Sequence, residues 1–148
     1  MRKIIFFITL VIGFSATGQI LNPVKWSTSV KKISINEYEL IATAKIENEW
    51  HLYAQNVPKG GPIPTSFTYL SSRDYLKKGN TKEDKGQVVD DPIFDMRIKY
   101  FDEKAKFIQR VKLKSKAPFV INAIVEYMAC NDTQCLAPKE VDLVFNIK

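Results

Sequence analysis

One histidine, two cysteines and three methionines in 148 residues leave little material for metal or cofactor chemistry. A structural zinc site wants four ligands, and the lone His51 lies far along the chain from Cys130 and Cys135. A copper carrier draws on more methionine and histidine than this. Hydrolytic catalysis fares no better, because no serine or carboxylate can be set beside that histidine from the sequence. The expectation is therefore no metal and no cofactor. An excess of one charge is also modest: 22 Lys and Arg stand against 16 Asp and Glu. The lysines mostly alternate with apolar residues or sit in turns, which describes a solvated strand face rather than a nucleic-acid track.

Long hydrophobic runs are missing except at the start. Met1-Arg2-Lys3 precedes the apolar stretch Ile4 to Phe14 and then Ser15, Ala16, Thr17 and Gly18. That order reads as a secretory signal peptide over residues 1–18, with the mature chain starting near Gln19. About eleven apolar residues reach only ~16 Å as a helix, against a hydrocarbon core of roughly 30 Å. The stretch is too short for an anchor, and no cysteine near the cleavage site suggests a lipoprotein. The mature chain, residues 19–148, is expected to be periplasmic or secreted, without membrane insertion, and monomeric.

Helical periodicity is absent, as are internal repeats. What is present is alternation with period two, the pattern of half-buried strands. Tyr38, Leu40, Ala42, Ala44 and Ile46 fall on one face. Ala105, Phe107, Val111 and Leu113 form a second row, interrupted by Gln109; Ile121 to Tyr127 and Val141 to Ile147 repeat the pattern. Shorter candidates are Val24–Val30, Trp50–Tyr53, Ser66–Leu70 and Met96–Tyr100. Turn formers break the chain at Ile35-Asn36, Glu47-Asn48, Lys59 to Pro62, Gly79-Asn80, Asp90 to Pro92 and Ala117-Pro118. Polar, weakly periodic residues from Lys77 to Asp91 read as a long loop. Seven or eight short strands and no amphipathic helix make an all-β, antiparallel sandwich the expected single domain.

The two cysteines stand in Tyr127-Met128-Ala129-Cys130-Asn131-Asp132-Thr133-Gln134-Cys135-Leu136-Ala137-Pro138. In an exported chain they favour a mutual disulfide. Closing so short a loop removes little unfolded-state entropy, about 2 kcal/mol against roughly 4.7 for a hundred-residue loop. A staple for a whole sandwich would join distant strands. An exchangeable bond suits a tight loop better, although spacing alone leaves the structural staple open. Asn131-Asp132-Thr133 also matches a glycosylation sequon, which beside a bacterial-looking signal is read as accidental.

Tyr127-x-x-Cys130-x4-Cys135-x-x-Pro138 with a terminal strand, Trp50-His51-Leu52-Tyr53 upstream, and Gly60-Gly61-Pro62-Ile63-Pro64-Thr65 after it resemble the N-terminal periplasmic domain of the disulfide reductase DsbD. The likeness spans about Val24 to Ile147. It implies an immunoglobulin-like fold and a thiol:disulfide oxidoreductase component that takes electrons from a thioredoxin-like donor and reduces periplasmic disulfides. It implies Cys135 as the exchanging sulfur and Cys130 as the resolving one. It also implies an aromatic cap over the cysteines, with Phe94 in Asp91-Pro92-Ile93-Phe94-Asp95-Met96 as candidate against the alternative of a core phenylalanine, and Tyr53 bordering the pair. His51 stands where the family usually carries an aromatic hydroxyl; it is either a tuner of thiol pKa or a surface strand residue. Members commonly have one more residue between the cysteines. The family's membrane electron conduit and C-terminal thioredoxin domain do not lie in these residues, so both are expected from separate chains. A different class remains: a non-catalytic binding module that docks a partner through exposed aromatics and the Gly60-Gly61-Pro62 loop.

Overall fold

The computed structural model describes residues 21–148; the expected signal peptide lies outside the described residues. Eleven strands and no helix make up the described chain, so no helix there is long and apolar enough to cross a membrane. One antiparallel sheet runs β1 (Val24–Lys32), β2 (Glu37–Ile46), β8 (Lys104–Leu113), β5 (Tyr75–Glu83). A second runs β11 (Lys139–Ile147), β9 (Phe119–Tyr127), β4 (Ser66–Tyr69), and a third runs β10 (Ala129–Cys130), β3 (His51–Tyr53), β7 (Met96–Phe101), β6 (Gln87–Asp91).

Alternation decides which face each strand buries, since successive side chains point to opposite sides. Tyr38, Leu40, Ala42, Ala44 and Ile46 of β2 meet Ala105, Phe107 and Val111 of β8 in one core with Ile121, Ala123, Val125, Leu143, Phe145 and Ile147 from β9 and β11. Aromatic rings bind the two layers: Phe67 of β4 stands 5.0 Å from Phe107 of β8, and Trp26 of β1 lies within 6 Å of Phe67, Phe107 and Tyr127. Two inward faces packed this way are the sandwich that the periodicity implied.

The stretch Lys77 to Asp91 is a correction. It is no loop but most of β5 and all of β6, joined at residues 84–86. Both are edge strands, and Leu76 to Asn80 are exposed in succession, so no buried row marks them in the sequence. Gly79-Asn80, read as a break, lies inside β5 where the pairing with β8 shifts register between Lys78 and Lys82. Gly79 takes φ 66, which glycine adopts without penalty. Gln109, the polar interruption of β8, serves this bulge: fully buried, its amide donates to the carbonyls of Lys78 and Gly79 and accepts from the Thr81 hydroxyl at 2.9 Å.

Gln109→Leu keeps the volume but strands these partners, so the protein should lose about 1–3 kcal/mol. Urea unfolding checks this: the midpoint should fall with little change of slope, and an unchanged midpoint would show that water serves the bulge instead.

Candidate active site

Two residues of β10 tie the cysteine segment to β3, with Ala129 opposite Leu52 and Cys130 opposite His51. The chain then reverses. Asn131 closes the turn: its side-chain oxygen accepts the N–H groups of Thr133 and Gln134 at 3.0 and 2.9 Å, and its own N–H donates to the Gln134 carbonyl. Asparagine does this by imitating a backbone turn. The return strand brings Cys135 opposite Cys130, and Leu136 donates to the Ala129 carbonyl at 2.9 Å. The cysteines are joined as a disulfide with Cα atoms 4.0 Å apart.

Alternation then splits the hairpin. Tyr127, Ala129 and Leu136 face the main core, whereas Met128, Cys130 and Cys135 face the other way. On that second face they meet a separate cluster of Tyr53, Ile98, Val57, Phe94, Met96 and Tyr100. The third sheet is therefore buried on both sides at its cysteine end. Cys130 is fully buried and Cys135 is partly exposed. An apolar groove of about 350 Å³, lined by Leu21, Tyr127, Leu136 and Pro138 among others, opens on the side away from the sulfurs.

The cover of the cluster is the turn between β6 and β7. Buried Asp91 organises it: one carboxylate oxygen accepts the N–H groups of Ile93 and Phe94 at 2.9 and 3.1 Å, and the other accepts the Tyr53 hydroxyl at 2.8 Å. Phe94 thereby stands edge-on to Tyr53 with centroids 6.0 Å apart and packs on the cluster that holds both cysteines. Burial, then the bond to Asp91 and its charge, push the Tyr53 phenol well above its ordinary pKa of 10.0. Tyr53 remains a donor at neutral pH. Gly61 lets the Val57 to Pro62 turn close against the same cluster, because an added Cβ would lie 2.7 Å from Val57 and 3.0 Å from the Met96 sulfur.

His51 shares this side of the sheet. It stacks on Tyr100 at 4.5 Å and holds Nε2 3.6 Å from an Asp132 carboxylate oxygen. With Asn131 and Thr133 it lines a shallow polar pocket beside the turn. The structure thus gathers Cys130, Cys135, Tyr53, Phe94 and His51 at one end of one sheet. Asp91, Tyr100, Met96 and Asp132 belong with them and were not singled out from the sequence. An aspartate just before a proline signals a side-chain-capped turn, but its bond to Tyr53 spans 38 residues and has no local signature. Among the described residues no group of three or more His, Cys, Asp or Glu is arranged to hold a metal.

Tyr53→Phe tests the link between sheet and cap. A hydrogen bond to a charged group contributes about 1.5–3 kcal/mol, so the variant should unfold at correspondingly lower urea at pH 7. The pH dependence has a definite sign. A phenol whose folded pKa is raised holds its proton more tightly when folded, so its contribution is complete below about pH 10 and is lost as pH rises above it. Stability of the parent protein should fall more steeply above pH 10 than that of Tyr53→Phe; parallel curves would break the assignment.

A family model described as "Thiol:disulfide interchange protein DsbD, N-terminal" matches residues 19–145. No curated protein matches the chain. Among solved structures, the DsbD N-terminal domain of Neisseria meningitidis in its reduced form is similar in fold, with TM-score 0.53 and 15% identity, over 86% of this chain and 89% of that one. The N-terminal periplasmic domain of ScsB from Proteus mirabilis is similar with TM-score 0.57 and 14% identity, over 82% of this chain and 44% of that one, so this chain spans less than half of it. A disulfide at a sheet end, on a sandwich that the family model covers nearly end to end, places this protein in the DsbD N-terminal domain family.

Proposed function

We propose that the protein performs thiol–disulfide exchange in the periplasm, passing electrons from a thioredoxin-like donor to disulfides of other periplasmic proteins through Cys130 and Cys135. One observation carries this reading: the disulfide joins a fully buried residue to a partly exposed one at a sheet end. An incoming thiolate must approach along the S–S axis, and Cys135 is the sulfur a visitor meets first. Attack there forms a partner–Cys135 disulfide and expels Cys130 as a thiolate. The second thiol of the donor, deprotonated, attacks its own mixed-disulfide sulfur, which frees Cys135 and leaves the donor oxidised. The reduced pair passes its two electrons on by the reverse sequence: Cys135 attacks an acceptor disulfide, and Cys130 resolves the mixed disulfide.

Side chains around the pair suit these steps. Phe94 covers the cluster and limits access by small oxidants. His51, opposite Cys130 in the sheet, favours the departing thiolate when protonated, since a nearby imidazolium stabilises negative sulfur. The periplasmic setting rests on the family and on the expected signal peptide. A membrane electron conduit is the source that would recharge the donor.

Trapping tests the reaction and its direction of attack. Cys130→Ser should accumulate mixed disulfides through Cys135 on exposure to an oxidised thioredoxin-like protein, while Cys135→Ser should accumulate far fewer. The pair should also be more oxidising than the roughly −300 mV of structural disulfides. A lower potential with no trapped species would leave a structural staple in a docking module.

Alkylation of the reduced pair reads out the surroundings. Phe94→Ala should raise the rate constant several-fold if the ring covers the sulfurs, and His51→Gln should displace the pH–rate profile to higher pH. Profiles that superimpose on the parent's would remove both residues from the site.

A further inference from the structure

We propose that the outward face of the β1-β2-β8-β5 sheet is a docking surface for anionic phospholipid headgroups at a membrane surface. The inference is independent of the redox reading and rests on where the register places charge.

Lys25, Lys45 and Lys104 stand directly opposite one another across β1, β2 and β8. Two positions on, Lys106 of β8 faces Thr43 of β2 and Ser27 of β1. Further along, Lys31, Arg110 and Lys78 share a row with Glu39, and Lys112 lies opposite Glu37; Lys82 is placed across from Ile108. These lysines and Arg110 are exposed, on the face of the sheet away from the core. The carboxylates in or beside these rows are already engaged, Glu37 with Lys78 at 2.6 Å, Glu39 with Arg110 at 3.3 Å, and Asp84 with the Lys106 backbone N–H at 2.8 Å. Among the described residues, Lys31, Lys45, Lys82, Lys104, Lys106 and Lys112 have no carboxylate within ion-pair distance. The Glu37 carboxyl feels the surplus: the Lys78 hydrogen bond and charge, then Arg110 and Lys112, hold it below its ordinary range.

Like charges set directly across a sheet oppose its stability; in the row of three lysines Lys25 has Glu47 at 3.7 Å, whereas Lys45 and Lys104 have no counter-charge. The opposite layer carries the reverse sign. Outward positions of β9 and β11 hold Glu126, Glu140 and Asp142 and no Lys or Arg. The sandwich is electrostatically polar, with one basic and one acidic broad face.

The occupant follows from shape and chemistry. Four strands about 4.8 Å apart and nearly nine residues long spread these cations over a field of roughly 15 by 25 Å, broader than the line of phosphates along a nucleic-acid strand. No aromatic side chain faces outward there to stack on bases. A lamella of anionic headgroups presents charge over such an area. Docked this way, the acidic layer faces away from the membrane.

The mature chain, oxidised, should co-sediment with vesicles of phosphatidylcholine containing about one-third phosphatidylglycerol, stay in solution with phosphatidylcholine alone, and be released by raised NaCl as screening shortens. Each basic residue near an anionic surface adds about 1 kcal/mol, so partition should drop on the order of fivefold per neutralised lysine. Lys106→Gln reads one such step. Lys45→Glu, Lys104→Glu and Lys106→Glu combined should abolish retention with an unchanged circular dichroism spectrum, while Lys59→Glu with Lys139→Glu, off this face, should retain it. The proposal is overturned if the parent ignores anionic vesicles at low salt or if Lys106→Gln binds them as tightly as the parent. Duplex DNA uptake or self-association that tracks these residues, without lipid binding, overturns it equally.

Discussion

Ala129 and Cys130 are the whole of β10, and their pairing with Leu52 and His51 is the contact on which the cysteine site depends. Pairing fixes phase as well as position. Because side chains alternate, seating Ala129 against the sandwich core obliges Cys130 to face the other way, and the return strand repeats the choice with Leu136 and Cys135. A slip of one residue would put the sulfurs in the main core and a leucine under the cap. The short hairpin is thus held by the same burial that stabilises the sandwich.

Both faces of the third sheet are covered at this end, the inner by the sandwich and the outer by a small second cluster. That cluster is closed by one buried carboxylate. Asp91 holds the backbone of the cap turn with one oxygen and the Tyr53 hydroxyl with the other, so β3, which carries the cysteine hairpin, and the Phe94 turn are bonded through a single group. A buried carboxylate is tolerated there because three donors compensate its lost hydration. The arrangement holds the Phe94 turn against the cluster that contains both cysteines.

Charge is distributed by the same alternation. The strands that bury Leu40, Phe107 and Val111 on one side present lysine and arginine on the other, and the second layer presents glutamate and aspartate. Along the chain these charges look evenly mixed, which is how a solvated strand face reads. Stacking four strands in register concentrates them, and the polarity of the molecule exists only in the assembled sheets.

The amino-acid sequence by itself determined the architecture and the pairing of the two cysteines. Period-two rows such as Tyr38 to Ile46 are local, and cysteines five apart can meet through one turn, so neither needed long-range information. It misread Lys77 to Asp91, because edge strands bury one face weakly and leave no alternation to see. Tertiary structure alone decided that Gln109 would serve a bulge 30 residues away, that Asp91 would join Tyr53 to the Phe94 turn, and that Cys130 would be buried while Cys135 stayed partly exposed. Each of these depends on partners brought together across the fold, and a buried polar group declares its role only when its hydrogen-bond partners have arrived.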